Sequence, residues 1–291
     1  MSARTLFTAT TAAILMVAGS LSAATRVVLQ DTHCRTNAVT YTLPNDWAGG
    51  GEVTWNTESE RLGNFCIRTM QLVNRKDSII ANYISAYEVP LRTSNPGAMT
   101  LAEMLVGVAK QLPGNQNITP VDAVIYQAPQ DVQDFRMARD NLSAQLGKRI
   151  TGRVYIVNAT YSDGTMVGAI VHERSVRRNF RSERSITFHD IFVLGSTGET
   201  QPNEQALHQA LVDVSRAARR ADFNSNWITE NIRQTANAFY GMRRLDERAL
   251  PQITQKAIEG MRRGLPSVLD CLYTSRFCQR ADQGGTPVAR N

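Results

Sequence analysis

The apolar residues of this chain change their period once, at Gly195-Ser-Thr-Gly198, and that switch limits what each half can fold into. Before it, apolar side chains recur every second residue, the spacing of strands. After it they recur every three or four, the spacing of helices with one apolar stripe. The expected fold class is α+β: a mainly antiparallel sheet with covering helices, followed by a C-terminal helical segment.

Within the first half, Val39-Thr-Tyr-Thr-Leu43 alternates and ends at the turn signal Pro44-Asn-Asp, and Gly49-Gly-Gly51 is expected to separate it from Glu52-Val-Thr-Trp55. Asn64–Val73 and Ser78–Val89 read as two strands around a four-residue loop, Asn74-Arg-Lys-Asp77. Thr100-Leu-Ala-Glu103 fits a capping box opening a helix with Leu101, Leu105, Val108 and Leu112 on one face. A short strand, Asp122–Ala128, and a weaker helix, Gln130–Leu146, follow.

Asp163-Gly164 marks a hairpin. A two-residue type I′ turn there pairs Tyr161 with Met166, Val157 with Ile170 and Tyr155 with His172. Both faces of this hairpin are apolar, so cover on both sides is expected. A third strand, Ser185–Leu194, returns alongside. Beyond the period switch, Asn203 suits the cap of a helix striped by Leu207, Leu211 and Val214. Further helices span about Ser225–Arg243 and Glu247–Arg263.

Met1–Ala24 has the order of a cleavable secretory signal: Arg4, then the apolar Ala12–Ala18, then small residues ending at Ala23-Ala24. The resulting division is 1–24 signal peptide, 25–198 sheet domain, 199–280 helical segment packed on it or forming a small subdomain, and 281–291 flexible tail. The expected location is periplasmic or secreted, with no membrane span after cleavage. Four cysteines in an exported chain of 291 residues suggest disulfides, and the spacing favours Cys271 with Cys278 and Cys34 with Cys66.

The formal charge is +6, with arginine dominating the basic set, and favours anionic partners weakly. Its concentration in Arg174-Ser-Val-Arg-Arg-Asn-Phe-Arg-Ser-Glu-Arg184 is more telling. Arg174, Arg177, Arg178, Arg181 and Arg184, with Phe180 among them, form a candidate ligand-binding tip between two strands, since guanidinium groups grip carboxylate and phosphate bidentately. The bland reading is a solvated loop whose like charges discourage edge-to-edge association.

His33, His172, His189 and His208 lack metal-ligand spacing, so neither metal nor cofactor is expected. His172 and His189 read as neighbours on paired strands, with Glu173 and Asp190 facing away by alternation. Trp47 and Trp55 flank Gly49-Gly-Gly51, where packing outweighs sugar or peptide stacking. No nucleophile elbow or phosphate loop occurs, so no catalytic residue is assigned. The pattern favours an exported soluble accessory or binding protein of the cell envelope or extracellular space, non-enzymatic, meeting a protein or anionic envelope polymer through the basic hairpin. Nucleic acid is not an expected partner. The alternative is a secreted or periplasmic hydrolase whose site is assembled from dispersed residues.

Overall fold

A computed structural model describes residues 24–55, 66–90, 96–112, 117–145, 149–178, 181–196, 202–240, 246–273 and 278–281. The expected signal segment, apart from Ala24, lies outside them, as do Phe180 and almost all of the expected flexible tail.

The fold is α+β. Ten strands form one sheet: β1 (Thr25–Asp31), β2 (Thr36–Leu43), β3 (Trp47–Trp55), β4 (Cys66–Asn74), β5 (Ile79–Pro90), β6 (Pro120–Gln127), β7 (Arg149–Tyr161), β8 (Met166–Arg178), β9 (Arg181–Ser196) and β10 (Asp222–Phe223). Their spatial order is β10-β2-β1-β3-β4-β5-β9-β8-β7-β6, antiparallel throughout except for the parallel pair β1–β3. The helices are α1 (Ala98–Ala109), α2 (Gln130–Gln145), α3 (Glu204–Arg219), α4 (Ser225–Tyr240) and α5 (Leu250–Tyr273).

Both faces of the sheet are covered. On one, Leu101, Leu105 and Val108 of α1 bury against Tyr155, Val157, Val167, Val171, Phe188 and Ile191. On the other, Leu265, Val268 and Leu269 of α5 and Leu211 and Val214 of α3 join Val154, Ile156, Ile170, Phe192 and Leu194. Each large side chain so buried contributes about 1.5–3 kcal/mol, which explains why the helices lie where their stripes point.

In a flat sheet β10 and β4 would lie four strand spacings apart, about 19 Å. Yet the guanidinium carbon of Arg68 on β4 is 5.6 Å from the Phe223 ring of β10. This half of the sheet therefore curls until β10 and β4 face one another.

Local expectations fare unevenly. Asn203 caps α3, its side chain accepting the Ala206 amide at 2.7 Å. Asn74 braces the β4–β5 turn through the Lys76 and Asp77 amides at 3.0 and 3.1 Å. The capping box at Thr100 does not form, because α1 already begins at Ala98, after Gly97. Gly49-Gly-Gly51 is no loop but the middle of β3. A Cβ on Gly51 would overlap the Thr69 carbonyl and the Leu29 side chain, so the glycines are what let neighbouring strands close up.

At the Asp163-Gly164 hairpin the register is one residue from that expected. Asp163 accepts Thr165 N and Oγ1 at 3.0 and 2.8 Å, and the loop lengthens to Ser162-Asp163-Gly164, with only Gly164 at positive φ, 82°. Thr160 then meets Met166, Val157 meets Ala169 and Tyr155 meets Val171. A one-residue slip exchanges faces: Val167, Ala169 and Val171, not Met166 and Ile170, share the face of Tyr155 and Val157.

Cys271 and Cys278 are joined, with a Cα–Cα separation of 5.6 Å. The bridge leads the chain from α5 to the outer edge of β6. There the Gln127 amide donates to Gln279 O at 2.9 Å and the Ala281 amide to Ile125 O at 3.1 Å. The expected Cys34–Cys66 bond is absent, and both are free thiols. Cys34 lies in the turn between β1 and β2, Cys66 pairs with Trp55 in the ladder at the start of β4, and Asn231 of α4 donates to the Cys66 sulfur.

Candidate functional site

The arginines singled out above are strand residues. Arg174, Arg177 and Arg178 end β8; Arg181 and Arg184 begin β9. The ladders set Arg178 opposite Arg181, Ser175 opposite Arg184 and Gly152 opposite Arg174. They also add two arginines that the run itself does not contain, Arg149 opposite Arg177 and Arg153 opposite Glu173. Alternation divides the seven: positions 174, 178 and 181 fall on the α5 side, and 149, 153, 177 and 184 on the α1 side.

Arg153 is already engaged. It forks onto Glu173, with Nη2 to Oε1 at 3.0 Å, and lies over the Tyr155 ring at 5.4 Å. The hydrogen bond from Arg153 to Glu173 pushes the guanidinium pKa up. Tyr155 donates its hydroxyl to Glu173 at 2.6 Å, and burial followed by that carboxylate pushes its own pKa up, so the phenol keeps its proton.

Further down the same strands is the histidine pair. His172 and His189 are both buried, with ring centroids 6.0 Å apart, as expected of strand neighbours. Burial, then Arg136, His172 and Arg174 in turn, hold His189 well below the ordinary histidine range, so its ring is neutral. Its Nε2 and the Thr187 hydroxyl have no hydrogen-bond partner among the described residues.

Asp190 does not face away from its histidine. Against β8 the register slips from Gly168–Phe192 to Ile170–His189, so that Asp190 and Ile191 together oppose Ala169 in a bulge, and Asp190 adopts φ 48°. The bulge turns its carboxylate to the α5 side. There Arg136 of α2 donates to Oδ2, and Tyr83 donates to Oδ1 at 2.8 Å. A Cβ on Gly264 of α5 would overlap Oδ2. Tyr83 is pushed well above the usual phenol range, chiefly by burial.

Beside Tyr83, inside the curl, stands Arg68, 7% exposed, which sequence reasoning passed over. Its amide donates to Ser85 Oγ at 2.9 Å, and its guanidinium lies 5.8 Å from the Tyr83 centroid and 5.6 Å from that of Phe223. Nothing local marks it, because Arg68 occupies an alternating strand like any exposed arginine and is covered only by residues distant in sequence.

At the end of β1, Asp31 is fully buried and accepts the Trp55 and Trp227 indoles at 2.8 and 2.7 Å and the His33 and Cys34 amides at 2.9 Å each. Trp47 is buried too, donating to Asp213 of α3 at 3.2 Å. These tryptophans thus fasten the sheet to the helices. Among the described residues no group of three or more His, Cys, Asp or Glu side chains could hold a metal ion, and no helix is long and apolar enough to cross a membrane. Compared with known families and with curated proteins, the chain matches none.

Proposed function

We propose that the protein is an exported, non-enzymatic accessory or binding protein whose β7–β9 end takes an anionic partner, a protein face or an envelope polymer. One observation carries the reading: two arginine pairs stand directly opposite in the ladder, Arg149–Arg177 and Arg178–Arg181. Like charges directly opposite oppose pairing by about 0.2–1 kcal/mol each. Five residues of one hairpin and two of its neighbour are arginine, against Glu173 and Glu183 there. A docked anion relieves that repulsion, and guanidinium forks suit carboxylate, sulfate or phosphate groups.

The test is retention of the mature protein on immobilised heparin, followed by capture from an envelope fraction. Retention should fall with salt, as the screening length drops from about 10 Å at 0.1 M to about 3 Å at 1 M. The face division supplies two variants, Arg174/Arg178/Arg181→Gln and Arg149/Arg177/Arg184→Gln. One should elute at clearly lower salt and lose envelope capture while the other stays near wild type. If both elute and capture as wild type does, the hairpin is only a solvated edge and the reading fails.

A further inference from the structure

We propose that Arg68 anchors a second site, inside the curled half of the sheet, for an oxyanion group: a carboxylate or a phosphate. The residue is 7% exposed, and its Tyr83 and Phe223 contacts involve ring centroids at 5.8 and 5.6 Å. Aromatic rings stabilise a cation through their π faces but accept none of the five N–H bonds that a guanidinium directs outward in its plane. Among the described residues the guanidinium makes no hydrogen bond, and its nitrogens are not among the fully enclosed atoms left without a partner, so they keep an opening through which a ligand can reach them. Arginine cannot shed its charge to escape the desolvation cost, as a lysine would.

The nearest carboxylate does not fill the role. Asp190 spends Oδ1 on Tyr83 and Oδ2 on Arg136. Two guanidinium groups therefore share one carboxylate, while Tyr41 and Tyr83 are held protonated by burial. The buried set is left with one uncancelled positive charge. A carboxylate or phosphate fits a guanidinium edge bidentately and cancels that charge in one contact. This site is separate from the arginines of the hairpin tip, since Arg68 lies on β4 beside Ser85, well inside the sheet.

The experiment is thermal unfolding of the full mature chain during titration with inorganic phosphate, with acetate, and with chloride at matched ionic strength. Phosphate or acetate, whichever the site prefers, should raise the melting temperature saturably, with chloride giving no such rise. Arg68→Met, of similar length and uncharged, should weaken the apparent affinity at least about tenfold, the least that a charge-assisted pair supplies. Should Arg68→Met not fold, Arg68→Lys keeps the charge without the fork and should show a smaller but measurable loss. The Arg174/Arg178/Arg181→Gln variant should respond like wild type. The proposal is overturned by an equal rise in chloride, by unchanged affinity in the folded Arg68 variant, or by loss of the response in the hairpin variant.

Discussion

Replacing Asp31 by Asn should cost this protein a large share of its stability, and the geometry says why. The carboxylate divides its work: Oδ1 takes the His33 and Cys34 amides, both at 2.9 Å, and Oδ2 takes the Trp55 and Trp227 indoles at 2.8 and 2.7 Å. An asparagine can offer an oxygen to only one of those pairs, and its NH2 must then face two donors in a fully buried place. Two hydrogen bonds to a charged acceptor are lost, each worth about 1.5–3 kcal/mol, so the expected loss is about 3–6 kcal/mol. For a chain of this size that corresponds to a drop in melting temperature on the order of 10 °C. Urea unfolding followed by tryptophan fluorescence reads the loss, because two of the four partners are indoles. A pH series adds an independent check. Burial alone would raise the pKa of Asp31, but the Cys34 amide, the Trp227 and Trp55 indoles and the Cys34 thiol outweigh it and hold it below the usual carboxylate range. A depressed folded-state pKa contributes stability that is fully present above the unfolded value, near 3.8, and is lost as pH falls through the folded one. The gap between wild type and Asp31→Asn should therefore narrow below about pH 4. A variant within about 1 kcal/mol of wild type at neutral pH, a size typical of a surface change, would refute the reasoning.

Gly264→Ala should destabilise by about 1–3 kcal/mol, since the new methyl overlaps Asp190 Oδ2 beneath α5; a melting temperature unchanged from wild type would show that α5 can shift freely over the sheet. Cys271/Cys278→Ser should cost about 2 kcal/mol and speed hydrogen exchange at the Gln127 amide, which the bridged segment covers. Peptide mapping of the native protein should find that bond while Cys34 and Cys66 take up an alkylating reagent on unfolding, and a Cys34–Cys66 peptide would contradict the structure.

What was legible in the sequence is what neighbouring residues decide among themselves. Asn203 announces α3 because a cap needs only the amide three residues on. The stripe of α3 and the turn at Asn74 are equally local. The central β7–β8–β9 meander was visible, but its register was not, because Asp163 binds Thr165 and so selects a three-residue loop over a two-residue one. Strand β1 went unseen and the glycines of β3 read as a loop. Both segments are defined by partners rather than by pattern, with β1 held between β2 and β3. At the basic end, the five arginines of one run stood out, whereas Arg149 and Arg153 joined them only through the ladder.

The buried charged residues were hidden for a physical reason that Asp190 makes plain. Strict alternation sends the side chain after His189 to the α1 face, where Phe188, Ile191 and Val193 belong to the apolar cluster under α1. Burying Asp190 there would leave a charge without a partner, at a cost far above the few kcal/mol that strain in one residue involves. A bulge at φ 48° turns the same carboxylate toward Arg136 and Tyr83 instead, and a glycine at position 264 leaves room for it. The bulge thus depends on groups contributed by α2, β5 and α5, far apart along the chain. By the same logic Arg68 reads as an ordinary strand arginine until the sheet curls and brings Phe223 over it. Charges that only a tertiary arrangement can place carry no local signature, and for that reason neither Asp190 nor Arg68 stands out from its neighbours in sequence.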